Sequence, residues 1–195
     1  VAVAPASDWV AIPASDLLVM TLTPDARGRA RRVVIQLMPA PFSQGWVANI
    51  RSLATAHWWD GLSINRVQDN YVVQWGDGDG EDPAKARALP GGLAPVTESA
   101  YVTTLAPHRP FASVEEVMRA VSSAPGDRHD AYAGRTSFFY VLPIASQQVR
   151  GERKALPDGD VGEVARVTDV AWPIHCYGMV GVGRGMSPDT GSGAE

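Results

Sequence analysis

An arginine, an amide and an aromatic ring are spaced so that one β-hairpin would bring them together. Arg66 ends an apolar run at 62–67, and a second run at 71–75 contains Tyr71 and Gln74. The short polar turn between the runs predicts that they pair as antiparallel strands. A guanidinium stays protonated and presents several donors in a fixed fork. Such a group can donate hydrogen bonds to acceptor atoms of a ligand.

The side chains of the second run alternate between the two faces of the predicted hairpin. Tyr71, Val73 and Trp75 would lie on one face, and Val72 and Gln74 on the other. This arrangement can place the guanidinium, the amide and the ring within reach of one ligand. A lone arginine at this place would otherwise be interpreted as a surface salt-bridge residue.

Residues 60–77 match a longer motif without a gap. The motif reads Y-D-G-x-x-F-H-R-V-x-x-x-F-x-x-Q-G-G-D, and its counterparts here are Trp59-Asp60-Gly61, Ile64-Asn65-Arg66-Val67, Tyr71, Gln74 and Trp75-Gly76-Asp77. Upstream, an aromatic residue followed by N-F-x-x-L is matched by Trp46, Asn49, Ile50 and Leu53. The chain therefore resembles the cyclophilin-type peptidyl-prolyl isomerases, in which this motif is central.

A second block near the end of the sequence extends the resemblance. Residues 178–185 are rich in glycine and are followed by Asp189-Thr190-Gly191-Ser192. They resemble the family's glycine-rich segment and the G-S motif that comes after it. The two pieces together cover about half of the chain.

The resemblance implies a role for each matching residue. Arg66 would donate a hydrogen bond to the proline nitrogen as the peptide bond turns, and Gln74 would hold the substrate backbone. Tyr71 and Val72 would be an aromatic and an apolar wall of the proline pocket. The segment that would pair with the peptide before the proline comprises Gly183, Arg184 and Gly185. The implied substrates are proline-containing polypeptides, and no cofactor or metal is expected.

The sequence departs from the family pattern at three places. Asn65 stands where the family usually has histidine, and Trp75 where it usually has glycine. The family also continues with strands and a helix that complete the pocket, whereas this sequence stops at Glu195. We therefore expect a barrel that is incomplete at the C-terminus. The 195-residue chain alone is expected to be inactive or weakly folded, because an open sheet exposes unpaired edges.

The implied fold is mainly β: a cyclophilin-like antiparallel β-barrel capped by helices, with an α/β insertion. The residue pattern itself predicts a hairpin made of Leu17–Leu22 and Arg32–Met38. It also predicts a helix from Phe42 to Thr55, with Ser43 as its N-cap. One buried helical stripe is expected, comprising Trp46, Val47, Ile50, Leu53 and Ala54.

The chain is expected to be a single domain over residues 1–195. Residues 1–16 are rich in Ala, Pro and Ser and predict an extended leader. Residues 83–172 interrupt the family pattern and are interpreted as an insertion with its own secondary structure. Within it we expect a helix at Ser113–Val121 and a strand at Ser137–Ile144. The aromatic residues expected to pack together there are Phe111, Phe138, Phe139 and Tyr140.

Composition limits the classes of partner. With 45% hydrophobic residues the chain can bury a substantial core. Its 17 Lys and Arg and 21 Asp and Glu give a net charge of -4, with no basic patch, so nucleic-acid partners are not expected. Its apolar runs are too short for a membrane span. The oligomeric state is left open.

Three further patterns have simpler explanations than chemistry. The loop GDGDGED at 76–82 has the alternating acids of a calcium loop, but a solvated glycine loop is favoured because no helices flank it. The glycines at 181, 183 and 185 lack the spacing of a dinucleotide-binding loop. Cys176 lies beside His175, which suggests a nucleophile, but a small apolar strand residue near a barrel rim is favoured.

These observations leave more than one function open. The leading hypothesis is a peptidyl-prolyl cis-trans isomerase that acts during protein folding. The alternative is a catalytically weak or inactive peptide-binding or chaperone module on the same scaffold. A third hypothesis, an unrelated β-barrel binding protein, requires the motif match to be accidental. The sequence begins at Val1 and not Met, which fits a cleaved signal peptide, so a periplasmic or secreted protein is expected, with a cytoplasmic one as the alternative.

Overall fold

The computed structural model describes residues 4–105, 133–139, 142–149 and 168–194. This part of the chain is mainly β and contains one α-helix, α1 (Gln44–Thr55). A bilayer span needs about 20 apolar residues, and no helix among the described residues is long and apolar enough to cross a membrane. The strands are β1 (Leu17–Leu22), β2 (Arg31–Gln36), β3 (Ser63–Gln68), β4 (Val72–Gly76), β5 (Thr103–Leu105), β6 (Arg135–Phe139), β7 (Leu142–Val149) and β8 (Thr168–Pro173).

The chain divides into two compact units. The first comprises Val1–Glu98 and Val182–Glu195, and the second Ser99–Gly181. The predicted insertion, residues 83–172, therefore contributes to both units. Residues 83–98 belong to the first unit.

Strands β1 and β2 form the first predicted hairpin. They pair antiparallel from Leu17 opposite Gln36 to Leu22 opposite Arg31, which confirms the prediction to within two residues at the ends. The turn is held by Asp25, whose Oδ1 atom accepts hydrogen bonds from the Arg27 and Arg29 N–H groups at 2.9 Å. An aspartate that binds the backbone ahead of it is typical of such turns.

Helix α1 lies where the residue pattern predicts a helix, but it begins without the expected cap. Ser43 precedes the helix in a left-handed conformation, with φ of 56°, and its side chain makes no capping hydrogen bond. A capping serine usually has an extended backbone, from which its oxygen reaches the N–H groups of the first turn. Trp46, Val47 and Leu53 are buried as predicted, whereas Ile50 and Ala54 are half-buried.

The core of the first unit is built on α1. Leu53 is fully buried and packs with Trp58 and Ala194. The buried Asn49 amide donates to the Ala94 carbonyl at 2.9 Å and accepts from the Ala94 N–H at 3.0 Å. Because a buried amide must be paired, this exchange fixes the chain around residue 94 against the helix.

The second unit contains a four-stranded antiparallel sheet in the order β5-β8-β7-β6. The single strand predicted at Ser137–Ile144 is wrong, because β6 and β7 pair with each other and Phe139 lies opposite Leu142. The apolar run has no glycine or asparagine to indicate the reversal. The predicted helix at 113–121, Phe111 and Tyr140 lie outside the described residues, as does the side chain of Phe138.

The described strands form two separate two-stranded hairpins and the four-stranded sheet. They do not close into a barrel, so the described residues show a mainly β fold without the expected cyclophilin-like barrel. Closure would require hydrogen bonding between the sheets. The described strands pair only within each sheet.

Candidate functional site

The hairpin formed by β3 and β4 carries the predicted site residues. Counting outward from its turn, Gln68 lies opposite Val72, Val67 opposite Val73, and Arg66 opposite Gln74. Directly opposed residues share a face of the hairpin. The length of the turn therefore places Arg66 and Gln74 side by side.

A bulge at Asn65 changes the register on the far side of Arg66. Ile64 lies opposite Trp75, where an unbroken ladder would place it opposite Gly76. The extra residue moves Ile64 to the face that contains Val67 and Val73. Without it, Ile64 would share the face of Arg66. The bulge thus keeps Ile64 away from the face that contains Arg66, Gln68, Val72 and Gln74.

The guanidinium of Arg66 is held by two amide oxygens. Its Nη1 donates to Gln74 Oε1 at 3.0 Å, and its Nη2 donates to Gln68 Oε1 at 2.7 Å. Its Cζ atom lies 5.5 Å from the centre of the Tyr71 ring, within the range of a cation–π interaction. The structure therefore brings three predicted site residues together.

No carboxylate neutralises Arg66 among the residues that the structure describes. Other cationic side chains of the first unit do have acidic partners: Arg29 pairs with Asp25, Arg51 with Asp16, and Lys85 with Asp82. Both partners of Arg66 are neutral. Since a neutral acceptor orients a cation without cancelling its charge, the full positive charge faces solvent.

Tyr71 and Val72 differ in their placement. Tyr71 lies in the turn before β4, not in the strand, and 73% of its surface is exposed. Strand alternation therefore does not apply to it, and the expected grouping with Val73 and Trp75 is wrong: the ring lies beside Arg66. Val72 begins β4 opposite Gln68 and is half-buried.

The predicted peptide-pairing segment, Gly183–Gly185, is shaped by Asp189. The Asp189 carboxylate accepts hydrogen bonds from the Gly185 N–H at 2.8 Å and from the Gly191 N–H at 2.9 Å. The Gly191 bond, then the Gly185 bond and the positive charge of Arg184, lower the pKa of Asp189 below its usual value. The exposed loop is thereby closed on itself around one carboxylate.

The residues beyond this loop attach it to the rest of the first unit. Thr190 donates through Oγ1 to the Val96 carbonyl at 2.6 Å, and its own carbonyl accepts from Trp46 Nε1 at 3.0 Å. Ser187 donates to Glu98 at 2.6 Å. Helix α1 thus positions the segment through Trp46.

The hairpin and the glycine segment belong to the same compact unit. Among the described residues, no hydrogen bond or ring contact joins Arg66, Tyr71 or Gln74 to Gly183 or Gly185. The structure therefore joins Arg66, Gln74 and Tyr71 by direct contacts and shows no such contact from them to Gly183 or Gly185 within the described part of the chain.

Carboxylates of the acidic loop at 76–82 accept hydrogen bonds from backbone N–H groups in the loop and in the residues that follow it. Asp77 accepts from the Arg87 N–H at 2.5 Å and from the Asp79 N–H at 3.1 Å. These bonds, with Arg87 foremost, lower the pKa of Asp77. Within the described ranges, no three His, Cys, Asp or Glu side chains converge as metal ligands would.

Cys176 is not the strand residue that the sequence suggested. It follows β8 in an exposed turn, where its carbonyl accepts from the Met179 N–H at 3.0 Å. The neighbouring His175 packs against Gly181, where an added Cβ would lie 2.6 Å from the imidazole. The prediction of a strand residue is therefore wrong.

Comparison of the chain with known proteins found no similar protein. Neither models of known families, nor curated protein sequences, nor solved structures match this chain. The function proposed below rests on the resemblance in the sequence and on the geometry of the β3–β4 hairpin.

Two residues of the site were missed by the sequence analysis. The polar pattern at 68–70 predicts that Gln68 is in the turn, although it is two residues beyond Arg66, the spacing that places side chains on one face of a strand. Asp189 was matched only as part of a glycine-rich block. Its position four residues after Gly185 and two before Gly191 is an available signal, because aspartate commonly binds the backbone of a tight loop.

Proposed function

We propose that the protein is a peptidyl-prolyl cis-trans isomerase of the cyclophilin type, and that its complete fold is the corresponding antiparallel barrel. One observation carries the proposal: the guanidinium of Arg66 is held between Gln74 and Gln68, beside the Tyr71 ring, with no carboxylate partner in the described part of the chain. Its substrates would be exposed X-Pro segments of proteins during folding.

The chemistry follows from the electronic structure of the amide. Rotation about an ordinary peptide bond has a barrier of about 18–20 kcal/mol because resonance must be given up, and X-Pro bonds exchange over roughly tens to hundreds of seconds. In the twisted transition state the proline nitrogen regains a lone pair. A donor directed at that nitrogen is therefore bound more strongly in the transition state than in either ground state.

Arg66 suits this role because its donors are not exhausted. A guanidinium has five N–H groups, and the two bonds to Gln74 and Gln68 use one on each terminal nitrogen. The remaining three N–H groups, including Nε–H, are left to meet a ligand. Tyr71 would then provide the aromatic wall against which a proline ring packs, and Val72 the apolar wall.

The glycine segment would provide the backbone contacts. Gly185 already donates its N–H to Asp189, so pairing with the peptide would use other backbone groups of the segment. Asp189 would hold the segment in the shape that the peptide meets.

A purified-protein assay with X-Pro peptides tests the proposal. Arg66→Ala is expected to lower kcat/KM by about 100- to 1000-fold, the usual effect of removing one transition-state donor, with little change in peptide affinity. Arg32→Ala is the matched control, because Arg32 is also an exposed arginine of a two-stranded hairpin. Isomerisation that survives Arg66→Ala unchanged contradicts the assignment.

The exposure of the hairpin favours one alternative, a non-catalytic peptide-binding module. Tyr71 is 73% exposed, and an exposed donor has less effect on a transition state than one shielded from water. The same peptides distinguish the two functions. Saturable binding without detectable isomerisation by the protein supports the binding module.

A further inference from the structure

The shorter of the two hydrogen bonds to Arg66 comes from a residue to which the family resemblance gives no role. Gln68 Oε1 lies 2.7 Å from Arg66 Nη2, whereas Gln74 Oε1 lies 3.0 Å from Nη1. Gln68 occupies an unspecified position of the matched motif, two residues after the arginine. It is the last residue of β3 and lies opposite Val72.

The two glutamines hold different ends of the same guanidinium. A guanidinium bound at one terminal nitrogen can still swing about its side-chain torsions, whereas one bound at both terminal nitrogens is fixed in its plane. The backbone of both acceptor residues is held by strand pairing, because Gln68 and Gln74 each lie in the β3–β4 ladder. The direction of the Nε–H bond is thereby fixed as well.

Gln68 is uncharged, and this matters for Arg66 as much as the hydrogen bond that Gln68 accepts. A glutamate at this position would make the same hydrogen bond but would also pair with the positive charge of Arg66. The glutamine orients the cation and leaves its charge available.

We propose that Gln68 is a positioning residue for Arg66: it fixes the plane of the guanidinium for the isomerisation without neutralising it. The inference rests on the proposed function, and it assigns to Gln68 no contact with the substrate.

The test compares two substitutions that separate position from charge. Gln68→Leu removes the hydrogen bond, and Gln68→Glu keeps it while adding a carboxylate. Gln36 provides matched controls, since it is an exposed glutamine that ends β2 as Gln68 ends β3. Each variant is measured for kcat and KM on X-Pro peptides, for peptide affinity, for Tm, and for rotation of the Arg66 guanidinium in ¹⁵N NMR spectra of the arginine side chains.

For Gln68→Leu we expect kcat to fall about tenfold, as for the loss of one hydrogen bond to a charged group. KM and Tm should stay close to those of the unaltered protein, and the Arg66 guanidinium should rotate faster. For Gln68→Glu we expect slow rotation to persist while kcat falls at least as far. Gln36→Leu and Gln36→Glu should leave all five quantities unchanged. Gln68→Thr, too short to reach Arg66, replaces the leucine variant if leucine lowers Tm.

The possible failures can be told apart. If Arg66→Ala abolishes isomerisation and Gln68→Leu does not reduce it, the positioning role is wrong and the proposed function stands. If Gln68→Leu reduces kcat without altering the rotation of Arg66, Gln68 acts directly on the peptide and the inference is also wrong. If the unaltered protein has no isomerase activity, the proposed function fails and the inference fails with it.

Discussion

Arg66 lies opposite Gln74 because two strand residues, Val67 and Gln68, separate it from the turn. The bulge at Asn65 lies beyond this pair and does not determine it. Two single-residue deletions in the same strand should therefore have opposite outcomes, since only one of them changes the distance of Arg66 from the turn.

Deletion of Asn65 should preserve activity. It removes the bulge and leaves Arg66 opposite Gln74 in a regular ladder. Deletion of Val67 would place Arg66 opposite Val73, with its side chain on the other face. We expect kcat/KM to stay within a few-fold in the first variant and to fall to the level of Arg66→Ala in the second. Equal losses in the two deletions, measured at equal Tm, would contradict this register argument.

Tyr71 should contribute to kcat/KM through the face of its ring and not through its hydroxyl group. Tyr71→Phe retains the ring beside Arg66 and is expected to keep kcat/KM unchanged within twofold. Tyr71→Leu retains an apolar side chain but loses the cation–π interaction, which is worth about 0.5–1 kcal/mol at an exposed site. A loss of about two- to fivefold in kcat/KM is expected. A larger loss in the phenylalanine variant than in the leucine variant would assign the effect to the hydroxyl.

Asp189 should make stability depend on pH in the acid range. Its pKa is lowered in the folded protein by the Gly191 and Gly185 N–H groups, so the unfolded chain binds the proton more readily. The stabilisation is therefore present above the ordinary pKa of 3.8 and is lost as the pH falls through the lower, folded value.

The measurement is Tm between pH 6 and pH 3 for the protein and for Asp189→Asn. The asparagine variant should lose less Tm over this range, because it has no carboxylate to protonate. Asp69→Asn is the control, since Asp69 accepts one 3.4 Å bond from the neighbouring Asn70 side chain. Parallel curves for the protein and Asp189→Asn would show that the carboxylate does not contribute.

The Asn49–Ala94 exchange should be a major contribution to the stability of the first unit. Asn49→Leu removes both hydrogen bonds to the exposed Ala94, and a typical hydrogen bond contributes about 0.5–1.5 kcal/mol to stability. We expect the free energy of unfolding, measured in denaturant, to fall by about 1–3 kcal/mol. Ser52→Ala, at an exposed position of the same helix, should change it by about 0.5 kcal/mol or less.

Local sequence pattern was sufficient to predict the elements whose ends are marked by turn residues or prolines. The β1–β2 hairpin and α1 agree with the prediction because turn residues or prolines bound the apolar runs. The reversal between β6 and β7 was missed because an apolar run continues through it. The strand face was predicted correctly for Gln74, which lies within β4. It was predicted wrongly for Tyr71, because Tyr71 lies one residue before β4 and alternation does not apply in the turn.

The candidate site was predictable to the extent that it lies within one hairpin. Arg66, Gln74 and Tyr71 are close in sequence, so a single turn brings them together. The attachment of the glycine segment to α1, through Trp46 and Thr190, joins residues 144 positions apart. No local pattern carries that information. The β-barrel expected from the family resemblance remains a proposal for the same reason.

Gly191 lies so close to Gly183 that no side chain fits between the two residues. A Cβ atom at 191 would stand 2.1 Å from the Gly183 carbonyl oxygen, and the φ of 75° there disfavours any L side chain. In a saturation mutagenesis library, every substitution of Gly191 would therefore displace the carbonyl oxygen of Gly183, eight residues earlier in the chain. A single nucleotide change in codon 191 would thus reshape the loop by displacing both this backbone oxygen and the Val182 side chain, whose Cγ1 atom would lie 2.8 Å from the new Cβ.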